Sequence, residues 1–165
     1  MFNNLRLLLL AAWLGAAIFF SGAVAPSAFK VLRAFNLPNA TEVAGGIVSR
    51  TLAIVNISGF IISLLLIVTA FALQRLWPQR RFLLQIVLLG IVAAATGVGE
   101  WVIAARMRGL RAAFGGPIDQ VPATNAGRIA FDALHGYSVT ALSVAMLAAL
   151  IVFFVMSKRF ESGRE

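Results

Sequence analysis

Asp132, His135 and Ser138 follow one another at three-residue spacing, so on a helix they share a face and bring a carboxylate, an imidazole and a hydroxyl together. Such a set could carry a proton, hold a metal or haem, or bind a polar solute. Arg50, Glu100, Arg106 and Arg111 add charge, and Asn56 adds an amide, all at or near the ends of long apolar stretches. The chain has no Cys, which removes disulfides, thiolate zinc sites and iron-sulfur clusters together. His135 is the only His, so a bis-His haem would need a second His from another subunit, and a copper site would need more soft ligands than Met107 adds.

Each of these residues also has a structural role open to it. His135 could donate to a backbone carbonyl or to Asp132, and Glu100 could bind Arg106 or Arg50. Arg106, Arg108 and Arg111 could anchor lipid headgroups. The sequence has no Gly-rich phosphate loop, metalloprotease helix or nucleophile elbow, and Gly45-Gly46 and Gly115-Gly116 lack the context such motifs require. No enzymatic activity, catalytic residue, metal or cofactor is expected.

The elements that must position these groups are four apolar stretches: Leu7 to Ala25, Thr51 to Leu73, Phe82 to Ala104, and Tyr137 to Val155. Each is long enough to cross the roughly 30 Å hydrocarbon layer as a helix. The sequence predicts an all-α fold, a polytopic four-helix transmembrane bundle occupying residues 1–165 as a single integral membrane domain. With 61% hydrophobic and 12% charged residues, the chain leaves no room for a separate soluble domain. The first span also looks like a signal peptide ending at Ala23-Val24-Ala25, but Pro26 after the cut is a poor fit and more spans follow. A retained helix is expected.

Four spans place both termini on one side of the bilayer and the two long connections on the other, the loop side. Lys and Arg divide equally between the sides, seven and seven. Arg75, Arg80 and Arg81 crowd a tight turn without a nearby acid, which favours cytoplasmic termini. The net charge of +8 is spread over the flanks and suits lipid headgroups, not nucleic acid.

The two halves of the chain resemble each other. Lys30-Val31-Leu32-Arg33-Ala34 corresponds to Arg108-Gly109-Leu110-Arg111-Ala112, and Ala44-Gly45-Gly46-Ile47 to Ala126-Gly127-Arg128-Ile129. Two hairpins related as a parallel repeat are expected, and on this register Arg50 falls at the depth of Asp132, where the two could pair. The loop-side helix ends then form a charged vestibule of Arg50, Asn56, Glu100, Arg106, Arg111, Asp132, His135 and Ser138. Asn39 and Glu42 suggest a capping box, and Thr124 or Asn125 a cap for the last helix. Pro26 suggests a kink or the start of an interfacial segment. Asn56 and Ser63 suit interhelical hydrogen bonds, and the Gly90, Ala94, Gly97 and Gly15, Gly22 stripes suit close helix packing.

Several of these residues also carry a family likeness. Trp13-Leu14-Gly15, Phe19-Phe20, Ala25-Pro26 with Phe29, Arg106-Met107 ahead of Leu110-Arg111, and Phe131 with Leu134-His135 and Ser138 together resemble the bacterial family of domain of unknown function 4149. That family is similar to transmembrane protein 205 of animals. The resemblance implies a small bacterial inner-membrane protein without an established biochemical activity, with Arg111 and His135 in one motif set. Ala105 departs from the Pro that family members often carry before the Arg-Met turn. Three functions are open: binding or moving a small ion or polar solute in the vestibule, serving as accessory subunit of a respiratory or photosynthetic complex, or haem or metal redox chemistry at His135. Membrane lipids are expected partners, with a homo-oligomer or larger complex as further possibilities.

Overall fold

The computed structural model describes residues 2–74 and 78–157. They form four long helices, α1 (Asn3–Ala34), α2 (Ala40–Ala72), α3 (Gln79–Ala113) and α4 (Ala126–Ser157), each long and apolar enough to cross a membrane. The protein is an all-α, multi-pass four-helix bundle. The terminal-side cations Arg75, Lys158, Arg159 and Arg164 lie outside the described residues.

The helices run for 32 to 35 residues. At 1.5 Å per residue that is roughly 50 Å, well beyond the roughly 30 Å hydrocarbon layer. Most of the excess lies on the loop side. There the helices reach Ala34, Ala40, Ala113 and Ala126, whereas the apolar stretches stop near Ala25, Thr51, Ala104 and Tyr137. The segments read as connections are therefore helical, and the bundle stands clear of the hydrocarbon as a collar roughly 15 Å tall.

Pro26 neither breaks α1 nor starts a separate interfacial helix. The turn before it widens into a π segment, Phe20–Val24, in which the Ala25 amide donates to the Phe20 carbonyl. The wider turn absorbs the hydrogen bond that proline cannot make and the ring's clash with the preceding turn. A second π segment, Val98–Ala104, lies in α3. It begins 78 residues after the first, the offset that places Lys30–Ala34 on Arg108–Ala112. α3 continues as a helix from Ala105 to Ala113. Both helices end at a left-handed residue, Asn36 (φ 51°) after α1 and Gly115 (φ 66°) after α3. Asn and Gly are the residues that accept this conformation most readily. Each hairpin thus carries a π segment followed by a left-handed helix end.

The core fills the membrane-level half of the bundle with Leu10, Leu66, Leu89, Val92, Val152 and Met156, each no more than 1% exposed. Trp13 fastens α1 to α2, its indole N–H donating to the Val55 carbonyl at 2.9 Å. Its ring lies against Gly59, where a Cβ would come within 2.6 Å of it. Close approaches also occur at Gly97 and Gly99, whereas Gly15, Gly22 and Gly90 face open space and do not form the expected packing stripes. Ser63 donates to Phe60 of its own helix and not across an interface. Outward faces carry Ile54, Val68 and Leu147, all exposed, as a lipid-facing surface requires.

Neighbouring helices pack α1 on α2, α2 on α3, α3 on α4, and α4 back on α1. The closure between α1 and α4 is made by the part of α1 up to Phe19. Beyond the π segment, Ala25–Ala34 packs on α2 instead. In the second hairpin both the π segment and the end of α3 stay on α4. A cleft therefore opens between α1 and α4 on the loop side only, and it leads to the site.

Candidate functional site

Arg111 is the pivot of the loop-side collar. It projects from the last turn of α3, and its Nε lies 3.3 Å from Glu42 Oε1 on the first turn of α2. This is a charge contact without hydrogen-bond alignment, since the same Nε is buried with no hydrogen-bond partner. The guanidinium also lies over Gly45, where a Cβ would come within 2.6 Å of Nη2, and its carbon stands 5.5 Å from the centre of the Phe131 ring of α4. Glycine at position 45 is what leaves room for the cation. Arg111 thereby touches α2 and α4 while rooted in α3.

Glu42 does a second task. Its other carboxylate oxygen accepts the Ile118 amide at 3.2 Å, while Asp119 accepts the Glu42 amide at 3.1 Å. The short turn Ile118–Gln120 in the α3–α4 connection therefore caps α2 from outside, satisfying a donor that helix starts leave free. The capping box expected from Asn39 does not form, since its side chain makes no cap bond. Arg128 fixes the same turn from α4 by donating to the Ile118 carbonyl at 2.6 Å. With the Ile118 side chain 3% exposed, the turn is pinned over the vestibule. Asn125 caps α4, accepting from the Gly127 and Arg128 amides at 2.8 and 3.3 Å, as expected.

The ion pairs differ from those anticipated. Asp132 pairs with Arg128 one turn earlier at 3.3 Å, and Arg50 is exposed. Arg50 lies on α2 and Asp132 on α4, which are not neighbours in the bundle, so the two do not meet. Glu100, 6% exposed inside the second π segment, pairs with Arg108 at 3.0 Å and not with Arg106 or Arg50. Arg106 is exposed. Asn56 is buried deeper, against the backbone of Gly99.

His135, Arg111 and Ser138 do come together. Three adjoining cavities all include His135 and Val48 in their walls. The smallest, about 90 Å³, lies between Arg108, Arg111 and Ser138. The largest, about 410 Å³, is walled by Arg33, Arg111, Arg128 and Asp132. The third, about 290 Å³, descends through the α1–α4 cleft between Phe20, Pro26, Leu142 and Met146. His135 is exposed at their junction, and Ser138, 7% exposed, lies one turn below it. Among the described residues no three His, Asp or Glu side chains gather as a metal site.

Arg33 was missed as a site residue although the repeat pointed to it. It is the counterpart of Arg111, stands 5.7 Å from the Phe29 ring, and faces the same chamber. Glu42, Asp119 and Arg128 were also missed. Their signal was the acid at a helix start and the i,i+4 pair Arg128–Asp132.

No curated protein and no solved structure matches the chain. A family model does match, over residues 8–114, covering α1, α2, α3, the first π segment, Glu42, Glu100 and Arg111, and stopping short of α4. The chain belongs to the family described as Domain of unknown function (DUF4149).

Proposed function

We propose that the protein is a non-enzymatic membrane binding protein whose loop-side vestibule receives a small ion or polar solute. The observation that carries this reading is the convergence of three cavities on His135 beneath the walls formed by Arg33, Arg111 and Arg128. The loop side holds seven cations against Glu42, Glu100, Asp119 and Asp132, so the surplus favours an anion. Arginine is suited to that role because its fork of donors matches carboxylate and phosphate oxygens. The setting we propose is a bacterial inner membrane with both termini cytoplasmic, and the likeness to transmembrane protein 205 belongs to the same proposal.

The test is calorimetric titration of the purified protein with anions of graded size, compared with Arg111→Gln. Saturable binding weakened by about tenfold in the variant fits the loss of a charge-assisted contact. Equal heats from the two proteins, or none, overturn the reading. Comigration with stoichiometric partners after mild extraction would instead favour an accessory subunit.

A further inference from the structure

Resting on that reading, we infer that the occupant of the vestibule is an anionic phospholipid of the surrounding bilayer, which enters sideways through the cleft between α1 and α4. The cleft exists because α1 leaves α4 at the Phe20–Val24 π segment, while the matching segment of α3 stays packed. Its floor and its mouth differ in chemistry. The lower part is walled by Phe20, Leu142 and Met146, and the upper part opens at His135 into the chamber of Arg33, Arg111 and Arg128.

The dimensions suit one leaflet. From His135 to Met146 along α4 is eleven residues, roughly 16 Å, about half of a hydrocarbon layer near 30 Å thick. Met146 lies at the middle of the apolar stretch Tyr137 to Val155, and His135 lies just outside its loop-side end. An acyl chain of the loop-side leaflet laid in the cleft thus ends near the midplane and carries its phosphate to the level of His135. A solute without a chain would have no use for the apolar lower part.

The charges at the top suit a phosphate. Arg33 makes no salt bridge among the described residues, and Arg111 keeps a buried Nε without a hydrogen bond beside Glu42. Each guanidinium offers five donors, so both can add phosphate oxygens without breaking existing contacts. Gly45 lets Arg111 sit low enough to face the chamber, and Phe29 and Phe131 flank the two cations.

Native mass spectrometry of the intact protein, released from micelles containing equal phosphatidylglycerol and phosphatidylcholine, reads this directly. One phosphatidylglycerol should be retained in preference to phosphatidylcholine by about tenfold. The preference should vanish in the Arg33→Gln, Arg111→Gln double variant, and retention of either lipid should drop in Ser143→Phe, which fills the cleft while leaving every charge in place. Glycerol phosphate, the probe without a chain, should bind delipidated protein about tenfold more weakly than phosphatidylglycerol does. If glycerol phosphate binds as tightly as phosphatidylglycerol and Ser143→Phe has no effect, the lipid is overturned while the vestibule reading stands. If neither probe is retained, both fall.

Discussion

Arg111 on α3 and Glu42 on α2 stand 3.3 Å apart across the two hairpins, and the guanidinium reaches Glu42 only by crossing the bare backbone of Gly45. Three positions on three different turns are thereby made interdependent. Gly46, one residue further on, faces open space.

That contrast gives the first prediction. Gly45→Leu drives a side chain into Arg111 Nη2, separating the ion pair and uncovering the vestibule. A loss of about 1 kcal/mol is expected, the scale of a partly exposed pair plus local crowding. Gly46→Leu replaces the poorest ordinary helix former by a good one, without collision, and is expected to hold or raise stability. Thermal melting of both variants in one detergent checks the pair, and equal behaviour would show that Arg111 does not depend on Gly45.

The latch between Glu42, Asp119 and Ile118 gives the second. Asp119→Ala removes the outside cap of α2 and is expected to cost about 1 kcal/mol, typical of a lost helix cap. The loosened turn should exchange its amide hydrogens faster, most clearly at Ile118, whose N–H is held by Glu42 at 3.2 Å. Glu42→Ala should accelerate the same amide and in addition free Arg111. Hydrogen-exchange mass spectrometry over the α3–α4 connection separates the two, since Asp119→Ala leaves the Arg111 contact intact.

Much of this arrangement is legible in the sequence. Four apolar stretches fixed the bundle because lipid leaves the backbone few ways to satisfy itself other than helices, and Asn125 announced the start of α4. The helix extensions on the loop side were not legible, because Lys30–Ala34 and Arg108–Ala112 are too polar to count as spans although they continue the helices. The partner of Glu100 was missed for a geometric reason. Arg108 lies eight residues along, two turns beyond Glu100 and outside the i+3 and i+4 neighbours that pair most readily on a helix. The Arg50–Asp132 pairing failed because a repeat in the sequence does not say which helices neighbour each other, and α2 and α4 do not. The latch could not be foreseen, since it joins positions 76 and 77 residues apart through a loop.

At the membrane level, Gly59→Ala is expected to destabilise more than most alanine substitutions. The added Cβ would stand 2.6 Å from the Trp13 indole, whose N–H is tied to the Val55 carbonyl, so the ring cannot withdraw without losing that bond. Overpacking of this kind costs about 1 to 3 kcal/mol. Adding Trp13→Phe to Gly59→Ala should recover part of the loss, because the smaller ring has no such bond to keep. A double-mutant cycle on thermal unfolding would reveal the coupling, and strict additivity would mean that the two residues do not constrain each other.

The Glu100–Arg108 pair makes an asymmetric prediction. Glu100 is 6% exposed and already has one oxygen, Oε2, buried without a partner, whereas the Arg108 side chain is 60% exposed. Arg108→Met strands a buried carboxylate and is expected to cost about 1 to 3 kcal/mol, as for a buried polar group deprived of its partner. Glu100→Gln removes the buried charge and leaves an exposed arginine that water solvates freely, so its cost should be clearly smaller. The double variant should resemble Glu100→Gln, because once the carboxylate is gone Arg108 has no buried charge to neutralise. Denaturation midpoints for the three variants decide it, and equal losses from the two single substitutions would mean that Glu100 is hydrated and not sealed inside the π segment.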